Sequence, residues 1–300
     1  MQEIELFGNN LQVKDYLCSP DKNIILPANP RLRLYVKVTD DCNAYCAFCA
    51  NVGNEDFGKL DINKLRFVVE YLKNKQILHG VSITGGEPMI NPSKLNNIIN
   101  MILDVDPNIE IEISTNGKNV LEFAKFDHAN DIYAIHVSRH HYEDDKNNEI
   151  FRSKMATSKD LYALQEQLED KKILVINTMV MKDGINNLEE IKNNLDFVGD
   201  LGIFKNGFVS LMKNNLYSKA QFINYNDIFN NLDSSFMPAH RFFNKDYCEC
   251  IDGLYLTKNY KLVEYYARMV KEATVPYTNQ LVYTSDNKLL SGFSGKVLHK

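Results

Sequence analysis

The hydrophobic and polar positions of the chain follow two alternating periodicities, which predict strands and helices in regular succession. Short runs with a two-residue period, and short runs that are apolar throughout, are typical of half-buried and buried strands. Six strands are predicted, at residues 33–39, 81–84, 109–114, 131–138, 173–181 and 204–212. The first run, RLYVKVT, is also rich in the β-branched and aromatic side chains that favour strands.

Segments with apolar residues at helical spacing separate these strands. The clearest has its apolar side chains at Leu65, Val68, Val69 and Leu72. Asp61 precedes this stretch and is of a residue type that caps helix N-termini. Helices are predicted at residues 61–75, 92–103, 158–169 and 187–199. Because strands alternate with helices of this length, we expect parallel βαβ units that form an open or partial barrel, with the chemistry on the loops after the strands.

The pattern changes after about residue 216. Pairs of short strands are predicted at residues 253–266 and 280–292, and a short helix at 225–232. The chain is therefore divided into an N-terminal extension, a core and a small β-rich C-terminal extension, at residues 1–31, 32–215 and 216–300.

Composition and charge narrow the classes of function. Hydrophobic residues make up 44% of the chain and charged residues 24%, which excludes disordered and low-complexity classes. With 34 basic and 39 acidic side chains the net charge is −5, so nothing predicts binding to nucleic acid or to an anionic membrane. No apolar stretch is long enough to cross a bilayer, and residues 1–10 show no signal-peptide pattern. We expect a soluble, cytoplasmic protein.

Three of the six cysteines, Cys42, Cys46 and Cys49, lie close together in one loop after the first predicted strand. Three clustered thiols cannot all pair among themselves, and a reducing compartment disfavours disulfides. Thiolates suit zinc, Cu(I) and iron–sulfur clusters, but structural zinc normally takes four ligands, and no further Cys or His lies between residues 51 and 75. The spacing favours a [4Fe–4S] cluster with one open position, with zinc or unligated thiols as alternatives.

The CxxxCxxC loop after the first strand and the sequence GGEP at residues 85–88 after the second resemble the radical S-adenosylmethionine (radical SAM) superfamily. The resemblance covers roughly residues 32–212 and implies a partial (β/α)6 TIM-like barrel. It implies that Cys42, Cys46 and Cys49 hold a [4Fe–4S] cluster whose unique iron is chelated by the amino and carboxylate groups of S-adenosylmethionine. It also implies an external electron donor, flavodoxin- or ferredoxin-like, and hydrogen abstraction from a small-molecule or peptide substrate.

Several residues are candidates for binding this cofactor. Gly85 and Gly86 lack the Cβ that would keep a ligand away from the backbone, and Glu87 offers an acceptor for an ammonium group. The family pattern implies that Phe48 lies near the adenine. It also implies that polar residues at the ends of the third and fourth strands hold the ribose or the carboxylate, with Ser114, Asn116, Ser138 and Arg139 as candidates. Asn177, in an otherwise apolar strand, needs a hydrogen-bond partner and is expected to face the cofactor or a water.

A second pair, Cys248 and Cys250, lies after the core and has three interpretations. One of these thiols could be catalytic and donate a hydrogen atom to the substrate radical, as in radical SAM epimerases of sugars and peptides. The pair could instead hold an auxiliary cluster, with Cys18 as a third ligand, in a peptide- or natural-product-modifying enzyme, although four cysteines are usually needed. Both could also be small packed side chains. We favour the first; a non-catalytic metal-binding module is the alternative from a different functional class.

Overall fold

The structure, a computed structural model, describes residues 2–13, 30–49, 59–171, 173–238, 253–258, 262–266, 277–278, 280–293 and 295–300. Cys18, Cys248 and Cys250 lie outside the described residues, and so do the predictions made for them. Within the described ranges, no helix is long and apolar enough to cross a membrane.

The described chain begins with a two-stranded antiparallel hairpin and continues with strands that alternate with helices. The strands are β1 (Gln2–Leu6), β2 (Asn9–Val13), β3 (Leu32–Lys37), β4 (Leu78–Thr84), β5 (Glu110–Thr115), β6 (Ala134–Ser138), β7 (Leu174–Val180), β8 (Lys205–Ser210), β9 (Phe236–Pro238), β10 (Gly253–Thr257), β11 (Leu262–Tyr266), β12 (Gln280–Tyr283), β13 (Leu289–Leu290) and β14 (Val297–His299). The helices are α1 (Ile62–Asn74), α2 (Pro92–Val105), α3 (Asp144–Phe151), α4 (Ser158–Gln167), α5 (Leu188–Asp200), α6 (Leu216–Gln221) and α7 (Asn226–Phe229).

One sheet contains all the strands after the first hairpin, in the order β14-β13-β12-β3-β4-β5-β6-β7-β8-β11-β10-β9. Strands β3 to β8 lie side by side in chain order, and every neighbouring pair from β12 across to β11 is parallel. The prediction of an α/β fold with a parallel sheet is confirmed. Among the described strands the two end strands do not pair with each other, so this sheet is open rather than closed into a barrel.

The predicted core elements correspond to β3–β8, α1, α2, α4 and α5. Helix α1 begins where the sequence indicated, because the Asp61 carboxylate accepts a hydrogen bond from the Asn63 amide (2.8 Å). Helix α3 was not predicted. Its sequence, DDKNNEIF, has apolar residues only at its end, so it shows no helical hydrophobic period.

The C-terminal strands belong to the same sheet as the core. The predicted hairpins β10–β11 and β12–β13 are present, and β11 pairs with β8 while β12 pairs with β3. The sequence showed the local hairpins but not which core strand each would join. The division of the chain into three parts stays a prediction.

The two faces of the sheet differ in polarity because side chains alternate along each strand. On one face, Val81, Ile83, Ile111 and Ile113 are fully buried in the main apolar core, together with apolar residues of α1, α2 and α4. The other face carries polar side chains from adjacent strands, among them Ser82, Glu112, Ser114, His136 and Asn177. The loops that follow the parallel strands lie at one edge of this polar face.

Arg139, which follows β6, is buried on the helix-covered side, with 1% of its surface exposed. Its guanidinium donates hydrogen bonds to the Tyr142 carbonyl (3.0 Å) and to the Asp144 carboxylate in the first turn of α3. The guanidinium carbon also lies 4.7 Å from the centre of the Phe197 ring on α5. These contacts tie α3 and α5 to the end of β6.

We expect Asp144→Ala to lower the free energy of unfolding by about 2–3 kcal/mol, because it leaves the buried Arg139 charge without its carboxylate. The measurement is urea unfolding of the purified chain. Asp145→Ala is the matched control, since Asp145 is exposed in the same helix turn and should cost about 0.5 kcal/mol. Equal losses for the two variants would contradict the structural role of the Arg139–Asp144 pair.

Candidate functional site

The cysteine loop, which joins β3 to α1, is held tightly against the end of β4 by backbone contacts. The amide of Gly86 donates to the Thr39 carbonyl (2.7 Å), and the amide of Glu87 donates to the Asp41 carbonyl (2.8 Å). A Cβ on Gly86 would lie 2.1 Å from the Asp41 oxygen, and one on Gly85, whose φ is +139°, would lie 2.3 Å from the Thr39 oxygen. The close approach predicted at these glycines is therefore, in the structure, an approach to the cysteine loop. Their contact with a cofactor stays a prediction.

Glu87 is a buried carboxylate, 1% exposed, at the end of β4. Its oxygens accept hydrogen bonds from the Thr115 hydroxyl (2.6 Å) and from the backbone amides of Asn116 (2.6 Å) and Met89 (2.8 Å). Burial nevertheless raises the pKa of Glu87 above its ordinary value. A carboxylate can accept about four hydrogen bonds, so these three leave room for one further donor.

Two of the three clustered cysteines, Cys42 and Cys46, lie in an environment that disfavours the thiolate form unless a cation is present. None of these three forms a disulfide; Cys42 is exposed, and Cys46 and Cys49 are half-buried. Burial, together with the charges of Cys49 and Cys42, raises the pKa of Cys46 to about 12. The pKa of Cys42 is also raised, chiefly because its sulfur is partly removed from water although the residue is exposed, and further by the charges of Glu87 and Cys49. The three sulfurs and the carboxylate are thus close enough to influence one another electrostatically.

The three thiols of the loop suit an iron–sulfur cluster better than a single metal ion. In the part of the chain that the structure describes, no three His, Cys, Asp or Glu side chains are placed to hold a single metal ion. A [4Fe–4S] cluster has a different requirement, because each thiolate binds a separate iron atom. Three thiols on one loop match three irons of such a cluster and leave the fourth for another ligand.

The first half of the cysteine loop is fixed by side chains from the ends of β5 and α3. The Asn116 side-chain amide donates to the Asn43 side-chain oxygen (2.8 Å), and its nitrogen lies 3.8 Å from the Cys42 sulfur. The Lys118 ammonium and the Ser153 hydroxyl both donate to the Asn43 carbonyl, at 3.0 and 3.1 Å. Asn116 was predicted from its position after the third strand and does lie beside the cysteines.

The second half is fixed from the other side. The Tyr45 amide donates to the Phe151 carbonyl at the end of α3 (3.0 Å), and the Asn215 side chain donates to the Ala47 carbonyl (2.9 Å). Lys118, Ser153 and Asn215 are not among the site residues predicted from the sequence. Ser153 and Asn215 lie 110 and 168 residues along the chain from the loop residues that they contact, so no local motif connects them to the loop.

Phe48, within the cysteine loop, packs into a small apolar cluster. The other buried members of the cluster are Ile150, Met179, Met181 and Leu211. The edge of the Phe48 ring meets His140 with the centroids 5.4 Å apart, and His140 stacks on Phe151 at 4.8 Å. The His140 Nδ1 accepts a hydrogen bond from the Met179 amide (3.2 Å). Phe48 is therefore held by packing, and its predicted contact with adenine stays a prediction.

The polar candidates Ser114 and Ser138 lie on the open face of the sheet. Ser114 is exposed and is the register neighbour of His136, while Ser138 is the register neighbour of Asn177. The partner that Asn177 required is His136, whose Nδ1 lies 3.4 Å from the amide nitrogen. Arg139, in contrast, faces the helices, so the structure does not bring it together with Ser138.

The lower end of the same face is occupied by an ion-pair network. Arg33, with its side chain 4% exposed, lies 3.2 Å from the Glu110 carboxylate and 3.0 Å from the Glu112 carboxylate. Its guanidinium also donates to the Ser82 hydroxyl (3.3 Å). These side chains pair with one another near the strand starts, so the surface left for a ligand is the part near the strand ends.

A sequence model of the family described as the radical SAM superfamily matches residues 36–198, which contain both the cysteine loop and the GGEP turn. The chain belongs to the radical SAM superfamily. Its cofactors are accordingly a [4Fe–4S] cluster and S-adenosylmethionine, as the resemblance implied.

Individual relatives are more distant. A GTP 3′,8-cyclase of Clostridium perfringens is 28% identical over 158 residues, which is 50% of this chain and 47% of that protein. A 7-carboxy-7-deazaguanine synthase of Rickettsia prowazekii is 40% identical over 80 residues, 25% of this chain and 32% of that protein. This radical SAM chain thus spans about half the length of the cyclase it matches. The crystal structure of Streptococcus suis SuiB bound to S-adenosylmethionine shares the fold, with a TM-score of 0.60, 15% identity, and coverage of 90% of this chain and 63% of that one.

We expect Gly86→Ala to separate the cysteine loop from β4, because the new Cβ would meet the Asp41 carbonyl, a backbone atom that cannot move independently. The free energy of unfolding should fall by about 1–3 kcal/mol, and iron content after anaerobic reconstitution should fall with it. Gly184→Ala is the control, since its Cβ would meet the flexible Met181 side chain at 3.1 Å and would otherwise make only ordinary contacts, at 3.4 Å, with the His140 carbonyl and the Ile150 side chain. If both variants retained wild-type iron and stability, the close packing would not be required.

Proposed function

We propose that this chain cleaves S-adenosylmethionine reductively and takes a hydrogen atom from a peptide or small-molecule substrate bound at the polar face of the sheet. The observation that carries the proposal is the packing of the three-thiol loop against the turn that bears the buried Glu87. Two loops from adjacent parallel strands thereby bring a soft donor set and a carboxylate to one edge of the sheet.

In this proposal Cys42, Cys46 and Cys49 hold the cluster. When bound, the cluster supplies the electron that splits S-adenosylmethionine into methionine and a 5′-deoxyadenosyl radical, which abstracts the substrate hydrogen. Glu87 receives the ammonium group of S-adenosylmethionine at its remaining acceptor position. Because the carboxylate is buried, a cation that reaches it stabilises the ionised form more than it would in water.

Other candidates surround this position. Gly85 and Gly86, which lack a Cβ, let a ligand approach the backbone at the end of β4, and Phe48 contacts the adenine. Ser114, Asn116 and Ser138 supply hydroxyl and amide groups for the ribose or carboxylate. For Arg139 we propose an indirect role: it holds α3, whose last carbonyl receives the Tyr45 amide of the cysteine loop.

A polar substrate suits the face beside these residues. His136, Asn177 and Ser114 offer both donors and acceptors there, and the ion pairs of Arg33 leave the upper part of the face accessible. A related fold is known in a structure of SuiB bound to the precursor peptide SuiA, with a TM-score of 0.58. That likeness concerns the fold, and it favours including a peptide among the substrates to be tested.

The proposal is tested by anaerobic reconstitution followed by incubation with S-adenosylmethionine and dithionite. We expect the wild-type chain to form 5′-deoxyadenosine, measured by chromatography, and Cys46→Ala to form none. Glu87→Gln, which keeps the shape but removes the charge, should bind S-adenosylmethionine at least about tenfold more weakly, since one charged hydrogen bond is lost. Glu70→Gln, which removes an exposed carboxylate on helix α1, is the control. A wild-type chain that binds only zinc and forms no 5′-deoxyadenosine would instead support a metal-binding module.

For the net reaction we propose epimerisation of a sugar or peptide residue, with Cys248 or Cys250 as hydrogen donor. The thiol gives a hydrogen atom to the substrate carbon and becomes a thiyl radical, which one electron and one proton from the external donor must restore. In deuterated water we expect deuterium at that carbon. The variant that lacks the donor thiol, Cys248→Ala or Cys250→Ala, should lose this deuterium label while 5′-deoxyadenosine still forms. Loss of about four irons in these variants would instead indicate an auxiliary cluster.

A further inference from the structure

The turn after β12, residues 284–288, lies beside the cysteine loop although it is more than 220 residues away in sequence. The reason is topological. Strand β12 runs parallel to β3, with Tyr283 in register with Val36, so both strands end at the same edge of the sheet. The chain after β3 enters the cysteine loop, and the chain after β12 forms this turn next to it.

The turn contacts the start of the cysteine loop through Ser285, a buried residue. Its hydroxyl donates to the Asp40 carboxylate. The other oxygen of Asp40 accepts from the Lys37 ammonium at the end of β3 (2.8 Å). Asp40 is thus fixed two residues before Cys42 from both its own strand and the C-terminal turn.

The same turn contacts the chain where it leaves the cysteine loop, through Asn287. The Asn287 side-chain amide donates to the Lys59 carbonyl (2.9 Å), and its oxygen accepts from the Asp61 amide (2.7 Å). Asp61 is the residue that caps α1, so the amide fixes the point at which the chain enters that helix. One side chain therefore makes two hydrogen bonds to the far end of the loop.

The turn is suited to hold these positions because it is internally bonded. The Thr284 amide donates to the Lys288 carbonyl (2.9 Å), and the Asn287 amide donates to the Thr284 carbonyl (3.0 Å). Asn287 has a φ of +66°, a left-handed conformation that asparagine and glycine adopt more readily than other residues. The backbone conformation and the side-chain contacts at this position can therefore be separated by mutation.

We infer that Ser285 and Asn287 are positioning residues that fix the two ends of the cysteine loop, so that the C-terminal hairpin keeps the thiols in place for the cluster. The inference rests on the proposed role of this loop. Fixing both ends of the cysteine loop reduces the number of conformations that it can adopt before the cluster binds. The entropic cost of binding the cluster is therefore lower. The hairpin, outside the residues that carry the family motifs, thereby becomes part of the cofactor site.

The decisive variant is Asn287→Gly, which keeps the left-handed turn and removes the side-chain hydrogen bonds with Lys59 and Asp61. It also removes the hydrogen bond that the Tyr283 hydroxyl donates to the Asn287 side-chain oxygen (3.3 Å). In the reconstituted chain we expect iron loss to a chelator to be roughly threefold to tenfold faster than in wild type, as expected for two exposed hydrogen bonds. Asn287→Asp keeps the acceptor for the Asp61 amide and should lie between the two. Asn130→Ala is the control, because its side chain also bonds a backbone amide, that of Glu169, but does so elsewhere (3.1 Å).

A second readout does not depend on the cluster. In the chain without iron, hydrogen exchange of the Asp61 amide and of residues 40–49 should be faster in Asn287→Gly than in Asn130→Ala. Unchanged exchange together with wild-type iron loss would overturn the inference. A wild-type chain that takes up no cluster would overturn the proposed function instead, and exchange would still decide the positioning role. Ser285→Ala provides the same comparison at the other end if Asn287→Gly does not fold.

Discussion

The site depends on the contact between two polypeptide backbones, that of the cysteine loop and that of the turn after β4. This contact has no space for a side chain, because even a methyl group at Gly86 would overlap the Asp41 carbonyl. The backbone amides of Gly86 and Glu87 donate to carbonyls of the loop, so neither segment can move without breaking these hydrogen bonds. The position of the Glu87 carboxylate and that of the thiols are therefore set together.

Side chains at the ends of several strands and helices also hold the cysteine loop in place. Asn116 and Lys118 follow β5, Ser153 follows α3, and Asn215 precedes α6. Each makes one or two hydrogen bonds of ordinary strength, and none alone determines the loop conformation. Together they provide the support that a site built on a loop otherwise lacks, because rigid neighbouring elements surround it.

The parts of this site that the sequence predicted are those encoded within a few residues of one another. The thiol spacing, the GGEP turn and Asn116 each stand directly after a predicted strand. Contacts such as those of Ser153 and Asn287 depend on which strands become neighbours, and a single sequence does not show that. The structural role of Arg139 was not predicted for a different reason. Strand alternation places Arg139 on the opposite face from Ser138, and it is buried against α3, a helix whose sequence shows no hydrophobic period and was therefore not predicted.

The pairing of β12 with β3 has a consequence for how the protein is made. Strand β3 is synthesised early, but its outer neighbour emerges from the ribosome more than 240 residues later. Until then one edge of β3 exposes unpaired backbone groups, as an edge strand in a partly folded chain does. The surroundings of the thiols are thus complete only after β12 has been synthesised, has paired with β3 and has brought its turn against the cysteine loop.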